Sequence, residues 1–199
     1  MNHRLDDNFW SERYLKQTTG WDVGEISSPL KAYIDQLQNK ELHILIPGCG
    51  NAHEAAYLLA QGFKKVTLVD ISEVLTERLK ERFAEEIATG QCEIIHADFF
   101  ELKGQFDLIL EQTFFCAIDP AFREKYAETM AGLLKPGGKL AGVLFNVEMP
   151  EGPPFGGSTE EYERYFSPYF DFKTFETCYN SITPRAGREL FCILEKKQG

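Results

Sequence analysis

From Glu41 onward, short and almost wholly apolar runs alternate with longer stretches in which apolar residues recur every three or four positions. The short runs predict strands at 42–46 (LHILI), 65–70 (KVTLVD), 92–99 (CEIIHADF), 106–112 (FDLILEQ), 139–147 (KLAGVLFNV), 170–177 (FDFKTFET) and 189–196 (ELFCILEK). The longer stretches predict helices at 51–62, 72–90, 120–138 and 158–166. Ser72 has the place of an N-cap, Gly62 and Gly90 of helix ends, Pro120 of a helix start, and Pro136-Gly137-Gly138 of a stop. Strands with so little polar character are covered on both faces. Their alternation with helices predicts a single α/β domain: a doubly wound, mostly parallel, seven-stranded, Rossmann-like sheet with the last strand antiparallel.

Two segments escape this rhythm. Residues 1–40 precede the first strand and are expected to form an arm or lid, leaving 41–199 as the main domain. The arm carries Trp10, Tyr14 and Trp21 in FWSERYLKQTTGWD. Residues 148–157 (EMPEGPPFGG) read as a Pro/Gly-rich loop.

The net charge of −10 repels phosphate backbones and anionic membranes, so neither nucleic acid nor a membrane surface is an expected partner. No apolar run is long enough to span a bilayer, and the N-terminus lacks the apolar stretch of a signal peptide. Cys49, Cys92, Cys116, Cys178 and Cys192 are scattered and odd in number, which fits free thiols in a reducing, cytoplasmic setting. His3, His43, His53 and His96 show no metal-ligand spacing, so each reads as structural and no metal is expected.

The chemistry concentrates at three strand ends. Gly48-Cys49-Gly50 closes the first strand and offers unobstructed backbone N–H groups before a helix. His53 stands where a dinucleotide turn has its third glycine, which disfavours a pyrophosphate. Asp70 ends the next strand, where a carboxylate accepts both hydroxyls of a ribose, and Ile71 follows it. Asp98 and Phe99 end the third, where an acid meets an adenine amino group and an aromatic lines the slot. Taken singly, the glycines make only a tight turn and Asp70 only caps a helix. Three signals on one sheet edge favour an adenosine-containing cofactor.

This succession resembles the class I S-adenosylmethionine-dependent methyltransferases. More narrowly, it is similar to the thiopurine S-methyltransferase family with its plant and bacterial thiol/halide methyltransferase relatives. The carrying motifs are WSERYLKQTTGWDVG, ILIPGCGNAHEA, VTLVDIS, FDLILEQTFFCAIDPAFREKYAETMAGLLKPGG and EGPPF. The resemblance implies S-adenosylmethionine as cofactor and S-adenosylhomocysteine as product. It implies that Trp10, Tyr14 and Trp21 close over the cofactor and that Gly48 meets its methionine part. Asp70 then binds the ribose, Asp98 and Phe99 the adenine end, and Gln112 lies near the amino-acid moiety. Ile46 and Pro47 replace the acid usual in the wider class, as they do throughout the narrower family. Gln112 departs from the relatives' Tyr or Arg, and Phe145 from the Tyr of the plant proteins.

Methyl transfer to a soft nucleophile needs positioning in a dry site more than it needs a base, because thiols are partly ionised at neutral pH. No catalytic residue is therefore named. Phe114, Phe115, Phe145 and Phe155 are candidates for an aromatic acceptor pocket or for ordinary core, and Cys116 reads as a buried small residue. Arg123, Arg185 and Arg188 read as solvated surface rather than as contacts for an acidic substrate. The expected activity is methylation of a small thiol, thiopurine, hydrosulfide, halide or selenium/tellurium species by a monomer. A nicotinamide-dependent oxidoreductase and a non-catalytic S-adenosylmethionine sensor are the alternatives.

Overall fold

The computed structural model describes residues 5–149 and 151–198; His3 lies outside them. Its strands are β1 (His43–Pro47), β2 (Lys65–Asp70), β3 (Cys92–His96), β4 (Phe106–Gln112), β5 (Leu134–Phe145), β6 (Phe170–Thr177) and β7 (Glu189–Lys196). They form one seven-stranded sheet in the order β3-β2-β1-β4-β5-β7-β6. All pairings from β3 to β5 are parallel, and β7 runs antiparallel between β5 and β6. The helices are α1 (Asp7–Leu15), α2 (Ser28–Ile34), α3 (His53–Ala60), α4 (Glu73–Arg82), α5 (Ala84–Ala88), α6 (Arg123–Leu133) and α7 (Thr159–Phe166).

Alternation along each strand divides the core in two. Ile44, Ile46, Val66, Leu68, Leu108 and Leu110 pack with Leu58 of α3 and Leu75 and Leu79 of α4. Leu45, Val69, Ile109, Leu140 and Leu144 turn to the other face, against Tyr126 and Met130 of α6 and Phe166 of α7. The period of two thus places helices on both sides of the sheet.

The sequence expectations differ from the structure at several boundaries, four of which have a clear physical cause. The helix expected over 72–90 starts as read, with Ser72 Oγ accepting from the Leu75 N–H at 3.2 Å. It breaks at Phe83, a buried residue whose backbone (φ −106°, ψ 27°) leaves the helical conformation between α4 and α5. The helix expected over 51–62 begins only at His53, because Ala52 is left-handed with φ 55°. α6 ends at Leu133, before the Pro-Gly-Gly. Leu134 already pairs with Phe106, and 135–138 make an excursion before Lys139 pairs with Leu108. Pro136 cannot stay in a helix and Gly137 takes φ +72°, so the motif bends a strand rather than stopping a helix. Finally, β3 stops at His96 because the Asp98 carboxylate accepts the Phe100 N–H at 2.9 Å and starts a 3₁₀ turn over 99–101.

Candidate functional site

The carboxyl ends of β1 to β4 carry Gly48, Asp70, Asp98 and Gln112 along one edge of the sheet, and the strand order reverses between β1 and β4. Connections leave in opposite directions at such a reversal and open a crevice there. Beyond Pro47 the chain turns through positive φ at Gly48 (55°) and Gly50 (52°). The Gly50 N–H donates to Asp70 Oδ2 at 3.3 Å, and the Ser72 N–H donates to Oδ1 at 3.0 Å. Asp70 is therefore not the helix cap, a role Ser72 fills. It ties the glycine turn to the end of β2. Burial raises its carboxyl to about 6 against the opposing pull of these N–H donors. The Ile71 carbonyl accepts from His96 Nε2 at 3.0 Å.

The N-terminal arm reaches this turn. Ser11 and Ser72 share a buried hydrogen bond of 2.8 Å, and the Asp7 carboxylate accepts the Glu73 N–H at 3.1 Å. Trp21 meets Trp10 and Tyr14 edge-to-face, with centroids 5.6 and 6.0 Å apart. The Tyr14 hydroxyl lies 3.7 Å from where a Cβ on Gly50 would stand. Asp22 accepts hydrogen bonds from Asn51 Nδ2, from His53 Nε2 at 2.9 Å and from the Gly24 N–H at 2.7 Å. Burial works to raise its carboxyl, but these donors outweigh it and hold the group below the usual range. His53, which displaces the third glycine, thus tethers the arm. Sequence reasoning passed over Asp22; an acid directly after Trp21 was the available signal.

At the end of β4, the Gln112 Oε1 atom is buried and has no hydrogen-bond partner among the described residues. The Phe114 ring lies on Gly48, so close that a Cβ there would stand 2.1 Å from it. Phe99 is buried and stacks edge-on against Phe114 at 5.3 Å, while Asp98 beside it stays exposed. Phe115 does not join the site: it is core, packed on Tyr126, Tyr162 and Phe166. Glu111, unremarked within an apolar strand, is fully buried.

Phe145 ends β5 with the Arg185 guanidinium 5.5 Å from its ring. The Phe155 N–H donates to the Cys116 carbonyl at 2.6 Å, joining the 152–157 loop to the turn after β4. Two arginines read as solvated surface are not. Arg123 is only 2% exposed and donates to Glu161 and the Gly156 carbonyl, each at 2.7 Å. Arg185 donates to the Trp21 carbonyl at 2.6 Å and pairs with Glu189 at 3.3 Å. Their aromatic surroundings and carbonyl partners hold them in, which no linear pattern announces. Arg188 is exposed. The five cysteines are buried free thiols, and burial raises Cys116 well above its ordinary value.

A doubly wound sheet, a left-handed glycine turn and a carboxylate at the end of the second strand together define a nucleoside-cofactor-binding α/β fold. The family model for thiopurine S-methyltransferase matches residues 5–197, so the chain belongs to that family. It is 31% identical over 185 residues to a probable thiol methyltransferase 2 of Arabidopsis thaliana, covering 90% of this chain and 81% of the relative. It is 30% identical over 190 residues to thiocyanate methyltransferase 1 of Brassica oleracea, covering 93% and 83%. Among solved structures it resembles a Burkholderia thailandensis 1,6-didemethyltoxoflavin N1-methyltransferase with bound S-adenosylhomocysteine. There the TM-score is 0.73 at 20% identity, covering 96% and 87% of the two chains. The protein is an S-adenosylmethionine-dependent methyltransferase. The oxidoreductase and sensor alternatives are set aside.

The residues fit that cofactor. The unpartnered Gln112 acceptor suits a ligand rich in N–H and O–H donors, and the bare Gly50 backbone leaves room for its approach.

Proposed function

We propose that the crevice between β1 and β4 binds S-adenosylmethionine under the arm and methylates a small, soft, anionic acceptor in an aromatic pocket. The observation that carries this reading is the meeting of Gly48, Asp70, Gln112 and the Phe114 ring at the reversal of strand order. Asp70 accepts ribose hydroxyls, Ile71, Asp98 and Phe99 line the adenine end, and Gln112 accepts the ammonium. Gly50 leaves the turn open, and Gly48 gives the Phe114 ring its seat beside the cofactor. Phe114, Phe145 and Phe155 line the acceptor pocket. When bound, the cofactor supplies an electrophilic methyl group on a sulfonium. The surrounding rings exclude water and face positive charge with their π-electrons. A thiolate, hydrosulfide, thiocyanate or halide needs no base, so the protein's work is orientation.

The polypeptide acts as a monomer in the cytoplasm. Among the described residues no helix is long and apolar enough to cross a membrane. The test is product formation across hydrosulfide, thiocyanate, a small organic thiol, a thiopurine, iodide and selenite. Soft anions are expected to lead. A preference for oxygen or amine acceptors would sink the reading. EDTA is expected to leave all rates unchanged. Loss of activity on chelation, restored by a divalent ion, would count against the mechanism.

The arm is the lid. Trp10, Tyr14 and Trp21 close on the turn through the Asp22–His53 bond, whose side chains are partly exposed. A half-screened charged hydrogen bond contributes about 1 kcal/mol, so His53→Ala is expected to weaken S-adenosylhomocysteine binding roughly fivefold. Amide exchange across 8–24 should be faster in the cofactor-free variant and slow on saturation in both proteins. Exchange that is slow throughout, in both proteins, marks a fixed strut instead.

A further inference from the structure

We propose that Glu111 is a positioning residue for methyl transfer: its carboxylate folds the 113–117 turn and so aims the rings that meet the acceptor. This rests on the assignment of Phe114 and Phe155 to the acceptor pocket.

Glu111 sits next to the end of β4 and is completely buried. Oε1 accepts the Phe114 N–H at 2.5 Å and the Phe115 N–H at 3.2 Å. Oε2 accepts the Phe115 N–H at 3.2 Å and the Tyr126 hydroxyl of α6. Room for this fold-back comes from Gly142, its partner on β5, where a Cβ would stand 2.4 Å from the Glu111 Cβ. Thr113 supplies the reversal, with φ 55°, and its carbonyl accepts the Cys116 thiol at 2.8 Å.

The consequence reaches both candidate rings. The Phe114 N–H held by Glu111 fixes the backbone that lays the Phe114 ring on Gly48. Two residues further on, the Cys116 carbonyl anchors the Phe155 N–H at 2.6 Å. With its oxygens committed to these donors and no exposed surface, the carboxylate is poorly placed to take a proton from an acceptor. Its role is geometric. Burial raises the carboxyl to about 7, with the Tyr126 and backbone donors opposing.

The experiment uses the whole chain at about pH 8, where the carboxylate is mostly ionised. Glu111→Gln keeps the volume but removes the charge and sets an N–H₂ against the Phe115 N–H, an obligate donor. Tyr126→Phe removes one donor and leaves the backbone bonds. Folding is followed by circular dichroism, cofactor affinity by calorimetry with S-adenosylhomocysteine, and turnover with hydrosulfide and iodide. For Glu111→Gln, the acceptor KM is expected to rise about tenfold or more, while the S-adenosylhomocysteine Kd rises less than about threefold. Amide exchange at 113–117 should quicken. For Tyr126→Phe, a rise of about threefold in the same KM is expected at unchanged cofactor affinity.

Parallel losses in both affinities, or an unchanged acceptor KM, would overturn the proposal. If Glu111→Gln does not fold, Tyr126→Phe decides by the same criterion. Phe114→Ala and Phe155→Ala separate the two layers. Unchanged acceptor KM in those variants sinks the pocket assignment and the proposal with it. Raised KM there, with normal KM in Glu111→Gln, overturns the proposal alone.

Discussion

Asparagine in place of Asp70 is expected to weaken S-adenosylhomocysteine binding by roughly 2–3 kcal/mol, a loss of about thirtyfold to 150-fold, because charge-assisted hydrogen bonds become neutral ones or are lost. Asparagine is the informative variant because Asp70 also accepts the Gly50 and Ser72 N–H groups, which alanine would leave unpaired in a buried place. The pH dependence has a definite sign. The Asp70 carboxyl sits at about 6, above its ordinary 3.8, because burial disfavours the ionised form. Its contribution to the stability of the cofactor-free fold is therefore full below 3.8 and is lost as pH rises through about 6. Ligand hydroxyls donate to the ionised form, so affinity should climb as pH rises through about 6 and then level off. Calorimetry on wild type and Asp70→Asn from acid to neutral pH checks both claims. A folded variant with wild-type affinity would falsify the ribose assignment.

Gly48→Ala is expected to destabilise the fold by about 2–5 kcal/mol. Two costs combine. A non-glycine residue at φ +55° carries about 1–2 kcal/mol of left-handed strain. Its Cβ would also stand 2.1 Å from the Phe114 ring, and overpacking of that kind costs about 1–3 kcal/mol. The ring must move, and with it the turn between Gln112 and Cys116. Removing the ring should relieve the second cost only. The double variant Gly48→Ala, Phe114→Ala should regain roughly 1–2 kcal/mol of thermal stability relative to the sum of the single changes. Strict additivity in melting experiments would mean that the Phe114 ring does not rest on Gly48 in solution.

The apolar rhythm determined the sheet and its seven strands, because strands buried on two faces must be written in apolar residues, while the antiparallel run of the last strand shows only in its pairing. Composition and spacing also identified the glycine turn and Asp70, since a left-handed turn selects glycine and an acid closing an apolar strand stands out from its neighbours. The family motifs were legible for the same reason: they are local. What joins distant segments was not. Helix α1 has little apolar pattern of its own and owes its placement to polar bonds such as Ser11–Ser72, as the loop after it does to Asp22–His53, while α2 buries Leu30 and Ile34 in the core through a pattern of only two turns. Arg123 and Arg185 look solvated in a linear text and are enclosed only because loops far along the chain fold over them. Glu111 lies in a strand that reads as ordinary core. Its carboxylate found a use because Gly142 faces it and the chain reverses at Thr113. Local periodicity and turn chemistry set the elements. Which buried polar groups satisfy one another was decided only when the chain closed, because each needs a partner that sequence distance does not specify.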